Sequence, residues 1–268
     1  MAIIKQAVKY LIRQYSGFYV RTAEIHAKAE QLISEQSSIL NKIGFVHNTD
    51  KASIWKADGY LGISHDYLRH YDYLFSQFRA EKFSLIEFGC QEGNSMRMWE
   101  QYFPNAEIFG VDIDEAAKQH EKGRVHIVIG DATSPETLAA LKAQTGGSAF
   151  IILDDASHAW SDQRRSFELF WDMLTPGGFY VIEDLMCASA GAYPKYSPKI
   201  LDAQPLFKYM QDRSEILLWS PSKSYAWDAV KEEDTPRFKY LPEHIQKIER
   251  EMDMCIFIPG AVVVRKKP

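Results

Sequence analysis

Paired cysteines, surplus positive charge and long apolar runs are all missing from this 268-residue chain, and each absence removes a class of protein. Its three cysteines, Cys90, Cys187 and Cys255, lie in separate segments without a CxxC pair. That excludes a disulfide framework and a thiolate zinc site, and it fits a reducing compartment. Lys and Arg number 31 against 36 Asp and Glu, a net charge of −5. Non-specific nucleic-acid binding needs a cationic surplus to neutralise phosphates, so nucleic acid is not an expected partner. No apolar run approaches the roughly 20 residues that span a bilayer. Lys5, Lys9 and Arg13 interrupt any signal-peptide core at the N-terminus. The expected address is the cytoplasm. With 46% hydrophobic residues, the chain can bury a proper core in one domain with extensions or in two small ones.

What is present in quantity is acid at the ends of apolar runs. Phe150-Ile-Ile-Leu153 runs into Asp154 and Asp155, with His158 just beyond, and Phe179-Tyr-Val-Ile182 runs into Glu183 and Asp184. Both runs are too short for helices and rich in β-branched and aromatic residues, so they read as buried strands. Acids delivered to the end of a buried strand are costly unless something there needs the charge. Capping of the next helix could explain one such pair. Two pairs on successive strands, with an imidazole beside the first, point instead to a shared crevice at the carboxyl edge of a sheet, where open α/β sheets bind ligands.

The rest of the chain supplies that sheet. Residues 1 to about 16 place Ile4, Val8, Leu11 and Tyr15 on one helical face, with Lys5, Lys9 and Arg13 off it. Such a basic amphipathic helix can lie on an anionic membrane surface, but more often packs on its own domain or a second subunit, so a homo-oligomer is expected. A second helix is expected from Arg21 to about Asn41, which makes residues 1–50 an N-terminal helical extension. His47-Asn-Thr-Asp50, Gly59 and Gly62 read as loop, and Ser64 is the candidate N-cap of a helix carrying Tyr67, Tyr71 and Phe75, with His65 at its start.

From Phe83, strand and helix alternate. Strands are expected at 84–88, 107–111, 125–129, 150–153 and 179–182, the last after a Pro176-Gly-Gly178 turn. Met252–Ile258 and Ala261–Arg265 close the chain as a hairpin joined at Pro259-Gly260. The expected fold is therefore α/β, a doubly wound, mostly parallel seven-stranded sheet with an antiparallel C-terminal hairpin. Residues 51–268 form this domain. Residues 185–249, rich in Tyr, Trp, Pro and Lys, read as an insertion able to cap the crevice.

The first three strand ends select a cofactor. Gly89-x-x-x-Gly93 follows the first, Asp112 ends the second, and Asp131 follows the third. A glycine turn followed about twenty residues later by an acid is how a ribose-bearing cofactor is held. A dinucleotide turn would carry glycine where this chain has Gln91, and Glu87 would repel a pyrophosphate. A nucleoside bearing positive charge is better matched, and S-adenosylmethionine fits that description.

Glu87-Phe-Gly-Cys-Gln-Glu-Gly93, Gly110-Val-Asp-Ile-Asp114 and Gly130-Asp-Ala132 resemble the successive cofactor motifs of class I S-adenosylmethionine-dependent methyltransferases, whose fold is Rossmann-like. Leu153-Asp-Asp-Ala-Ser-His158 with Pro176-Gly-Gly-Phe-Tyr-Val-Ile-Glu-Asp184 resembles the magnesium-dependent macrocin and mycinamicin sugar O-methyltransferases, and Thr49-Asp-Lys51 and His65-x-Tyr67 are similar to that group's lead-in. Gln91 departs from the general glycine pattern. The resemblance implies a metal held by Asp155, Glu183 and Asp184, with His158 as catalytic base beside Asp155. It implies a cofactor bordered by Glu87, Gly89, Cys90, Gly93, Ser95, Asp112, Ile113, Asp131, Ala132 and Asp154, with Asp112 on the ribose and Asp131 near the adenine amino group.

The residues read alone agree with that outline. A carboxylate cluster selects Mg²⁺, with Mn²⁺ or Ca²⁺ as alternatives. Methyl transfer to a hydroxyl needs an oxygen close to alkoxide, which a divalent cation stabilises and an imidazole of ordinary pKa about 6.5 can deprotonate. His158 could instead be a fourth ligand, or cap the helix near Ser161. Asp154 could face the cofactor or orient a metal ligand. The expected activity is methylation of a hydroxyl on a sugar, glycosylated small molecule or glycan. The rival readings are a hydroxylase-like or non-catalytic metal- or nucleoside-binding relative on the same fold, and a nicotinamide-dependent oxidoreductase.

Overall fold

A computed structural model of the chain describes residues 38–57, 60–185, 187 and 243–268. The expected helix over 1–16, the start of the one from Arg21, and nearly all of the 185–249 insertion lie outside the described residues. Those described fall into two compact units. One holds the described part of Met1–Lys82 with Gln91–Ala106, and the other holds Phe83–Cys90 with the described part of Glu107–Pro268.

In the first unit, helix α1 (Ile39–His47) is capped by Ser38, whose hydroxyl accepts the Asn41 N–H. It runs past the expected end near Asn41 and stops at Asn48, which takes a left-handed φ of 58°. Where a loop is expected, β1 (Ile54–Ala57) and β2 (Tyr60–Ile63) pair as antiparallel strands. Helix α2 (Leu68–Phe75) starts later than Ser64, because Asp66 at φ 58° takes the backbone out of the helical region and the Ser64 hydroxyl donates to the Asp50 carbonyl. Helix α3 (Asn94–Tyr102) buries Met96, Met98, Trp99 and Tyr102, then ends before Pro104, whose ring disfavours helix in the preceding residue.

The second unit is built on the expected seven-stranded sheet. Its strands are β3 (Ser84–Phe88), β4 (Glu107–Asp112), β5 (Val125–Ile129), β6 (Ala149–Asp154), β7 (Leu174–Ile182), β8 (Met252–Ile258) and β9 (Ala261–Lys266). They lie in the order β5-β4-β3-β6-β7-β9-β8, the first five parallel and the last two antiparallel. The sheet is Rossmann-like, and its order reverses beside β3, whose neighbours are β4 on one side and β6 on the other. That reversal makes the carboxyl ends of β3 and β6 the natural ligand crevice.

Strand β7 absorbs the expected Pro176-Gly-Gly178 turn. It begins at Leu174, and its pairing with β6 shifts register between Ala149 and Ile151. The crossover helices are α4 (Pro135–Thr145), capped by Ser134, and α5 (Trp160–Phe170). Helix α6 (Glu243–Glu251) leads into the C-terminal hairpin. The core joins Ile86, Phe88, Val111, Ile152, Phe167, Tyr180 and Val264, each at most 1% exposed. Among the described residues no helix is long and apolar enough to cross a membrane.

Candidate active site

Burial divides the two acid pairs. Asp154 and Glu183 turn into the protein, at 2% and 1% exposure. Asp155 and Asp184 remain half-buried in the crevice, and His158 stands between them. Its Nδ1 is 3.9 Å from Asp155 Oδ1, and its Nε2 is 3.8 Å from Asp184 Oδ2. One ligand atom from each of these three residues lies within 4.8 Å of the other two. Glu183, expected as a third carboxylate, is not in that group.

Two members of the group have unusual backbones. His158 and Asp184 both take φ 56°, a left-handed conformation that non-glycine residues adopt at a cost and that tends to collect at functional sites. His158 does not cap the following helix. The helix starts from Ala159 without a side-chain cap, and just before it the Ser157 hydroxyl accepts the Ala159 N–H and donates to Asp162 Oδ2. The chain beyond Asp184 is held by the Leu185 N–H, which donates to the Gly260 carbonyl at 2.9 Å, and by Trp160 Nε1, which donates to the Leu185 carbonyl at 3.1 Å.

The expected cofactor residues of this unit line the ends of β3, β4 and β5. Gly89, at φ 91°, passes so close to the next strand end that a Cβ there would lie 2.3 Å from the Asp155 carbonyl oxygen. The Asp112 carboxylate accepts the Cys90 N–H at 2.9 Å through Oδ2 and the Asp114 N–H at 3.0 Å through Oδ1. Ile113 follows with 79% of its surface exposed, an apolar side chain left open beside that acid. Asp131 Oδ1 accepts from both the backbone and the hydroxyl of Thr133, and Ala132 is buried. Glu87 is fully buried in mid-sheet, paired in register with Gly110 and Leu153. Burial, helped by the charges of Glu87 and Asp112, pushes the Cys90 thiol well above its usual range, so it is no nucleophile. In the first unit Gly93 (φ 67°) and Ser95 open α3, and Gln91, standing where glycine is usual, takes φ 42°.

Burial raises the Asp154 carboxyl to about 6, against the partial opposition of hydrogen bonds from the Ser166 hydroxyl and the Ala156 N–H. A raised folded-state pKa means that Asp154 contributes stability fully below the unfolded value and loses it as pH rises through about 6. In chelator-treated protein, the stability of the wild type relative to Asp154→Asn is expected to fall by on the order of 2–3 kcal/mol between about pH 4 and pH 7. Thermal melts at several pH values measure it, and a constant difference would contradict the assignment. Ser166 and Gln163 were not anticipated as site residues. The signal was available, since 163, 166, 167 and 170 form one helical stripe and two of its members are polar.

The sheet order and the antiparallel C-terminal strands define the class, a Rossmann-like α/β fold of the methyltransferase type. Residues 86–185 match the family model described as "Methyltransferase domain". The resemblance to sugar O-methyltransferases is borne out by particular relatives. The chain is 35% identical over 140 residues to the 8-demethyl-8-alpha-L-rhamnosyl tetracenomycin-C 2'-O-methyltransferase of Streptomyces olivaceus, covering 48% of this chain and 36% of that protein. It is 36% identical over 134 residues to the demethylmacrocin O-methyltransferase of Streptomyces fradiae, covering 47% and 33%. The chain thus spans about a third of the length of the curated relatives it matches. Among solved structures it is similar to the MycE methyltransferase of the mycinamycin pathway in complex with Mg and SAH. The TM-score is 0.65 at 22% identity, over 85% of this chain and 53% of that one, a likeness that shows the fold.

Proposed function

We propose that this protein is an S-adenosylmethionine-dependent, divalent-cation-assisted O-methyltransferase acting on a hydroxyl of a sugar or glycosylated small molecule. The observation that carries the reading is the grouping of Asp155, His158 and Asp184 at the switch point of the sheet, in the same unit as the Gly89 turn, Asp112 and Ile113. The two Streptomyces relatives named above are O-methyltransferases by name, one of them of a rhamnosyl compound, and this supports the substrate class.

The residues fit both groups. Two carboxylates offer the oxygen donors that Mg²⁺ or Mn²⁺ prefers, and the adjacent imidazole suits Mn²⁺ better than Ca²⁺. The bare Gly89 turn, the ribose-directed Asp112 and the exposed Ile113 suit a nucleoside, and the surrounding acids favour one without phosphate. When bound, S-adenosylmethionine supplies an electrophilic methyl group, and a divalent cation lowers the pKa of a nearby hydroxyl. Asp155 and Asp184 would hold the cation, and His158 stands between them, where it can meet an acceptor hydroxyl. His158 takes the hydroxyl proton on its ring nitrogen, and the left-handed backbones at 158 and 184 keep these groups aimed into the crevice.

Calorimetry tests the cofactor half of this reading. Titration with S-adenosylmethionine is expected to give saturable binding and titration with NADH none. Tight NADH binding without binding of the methyl donor would favour a nicotinamide oxidoreductase and overturn the proposal.

A further inference from the structure

Beneath the acid cluster lies a closed ring of hydrogen bonds that the chemistry above leaves unused. The Ser166 hydroxyl donates to Asp154 Oδ2 and sits 3.1 Å from the Gln163 carbonyl oxygen. The Asp154 carbonyl accepts the Glu183 N–H at 2.9 Å, and the Glu183 carbonyl accepts the Gln163 side-chain amide at 2.7 Å. Exposure is 0% for Gln163, 1% for Ser166 and Glu183, and 2% for Asp154. The ring therefore ties α5 to the ends of both acid-bearing strands. It does so one residue before each crevice acid, since Asp155 follows Asp154 and Asp184 follows Glu183.

Three details give the ring a purpose beyond packing. The Glu183 carbonyl belongs to the same peptide plane as the Asp184 N–H. Gln163 therefore fixes the plane from which Asp184 departs into its left-handed conformation, a backbone state that persists only where its surroundings enforce it. Asp154 does the corresponding work on the other strand, where its Oδ1 accepts the Ala156 N–H at 3.4 Å and shapes the turn carrying Asp155. Finally, Oε1 of Gln163 is buried with no hydrogen-bond partner among the described residues. An apolar residue of equal volume would fill the space without stranding that acceptor, so packing alone does not account for glutamine here.

We infer that Gln163 and Ser166 are positioning residues that set the separation of the Asp155 and Asp184 carboxylates for a divalent cation. This rests on the proposed cation role of those two acids. Removing partners that orient metal ligands lowers affinity by about 10–100-fold.

The test is Mn²⁺ titration followed by electron paramagnetic resonance on the full chain, with S-adenosylhomocysteine affinity measured alongside by calorimetry. Gln163→Met keeps the volume and removes the donor, and Ser166→Ala removes one hydroxyl. Both are expected to weaken Mn²⁺ binding at least about tenfold while S-adenosylhomocysteine affinity stays within about twofold, and Ser166→Thr is expected to recover most of the loss. Should Gln163→Met fail to fold, the Ser166 pair alone decides. Mn²⁺ affinity at the wild-type value in the folded variants would overturn this inference and leave the cation role standing. Absence of Mn²⁺ binding in the wild type would overturn both.

Discussion

Replacing His158 by Ala is expected to slow methyl transfer by about 10²–10⁴-fold, the usual contribution of a positioned general base, while S-adenosylmethionine affinity stays within about twofold. The expectation follows from where the ring sits. At 3.8–3.9 Å from one carboxylate oxygen on each side, it is beyond ordinary hydrogen-bond length to both. It is thus placed to receive a proton from a hydroxyl held between the same two acids. It has no capping duty at the start of α5, where no side chain caps the helix. Mn²⁺ affinity in the same variant separates base from ligand. A base leaves it within about tenfold, whereas loss of a metal ligand abolishes far more. Undiminished turnover by His158→Ala would remove the residue from the mechanism.

Gly89→Ala is expected to damage the cofactor turn and the acid loop together. The added Cβ would lie 2.3 Å from the Asp155 carbonyl oxygen, 2.9 Å from its carbon and 3.2 Å from the Ala156 Cα, all backbone atoms with no flexible end to yield. At φ 91° alanine is also strained before any contact is counted. The Asp155 N–H donates to the Phe88 carbonyl at 3.0 Å, so β3 and β6 cannot part without losing that bond. A loss on the order of 2–4 kcal/mol in denaturant unfolding is expected, with at least about tenfold weaker S-adenosylmethionine binding. Wild-type stability and affinity in this variant would show that the turn is not packed as described.

The sheet was legible because its strands are short apolar runs bounded by turns and joined by helix-length segments. That alternation admits few topologies. The two acid pairs were legible for a related reason, since charge at the end of a buried run calls for an explanation. What the pattern hid was the division within each pair. Asp154 and Glu183 are buried while Asp155 and Asp184 stay half-buried, yet Asp154 pairs in register with Ile182, so period-two alternation does not produce this split. The left-handed backbones at Asp66, His158 and Asp184 left no local signature either, because none of the three is glycine. Nor did the start of β7 at Leu174, where a Pro-Gly-Gly sequence that ordinarily marks a turn is drawn into the sheet by pairing with β6. Gln163 and Ser166 were visible as polar members of a buried stripe, but their partners lie on strands far along the chain.

The most direct measurement of the central claim is transfer of a labelled methyl group from S-adenosylmethionine to a panel of sugar nucleotides and glycosides, with Mg²⁺ or with excess EDTA. The account predicts label in at least one glycoside when Mg²⁺ is present and loss of at least about 90% of that rate in EDTA, as expected when a cation stabilises the developing alkoxide. Label transfer that persists unchanged in EDTA, and equally in Asp155→Ala, would contradict it.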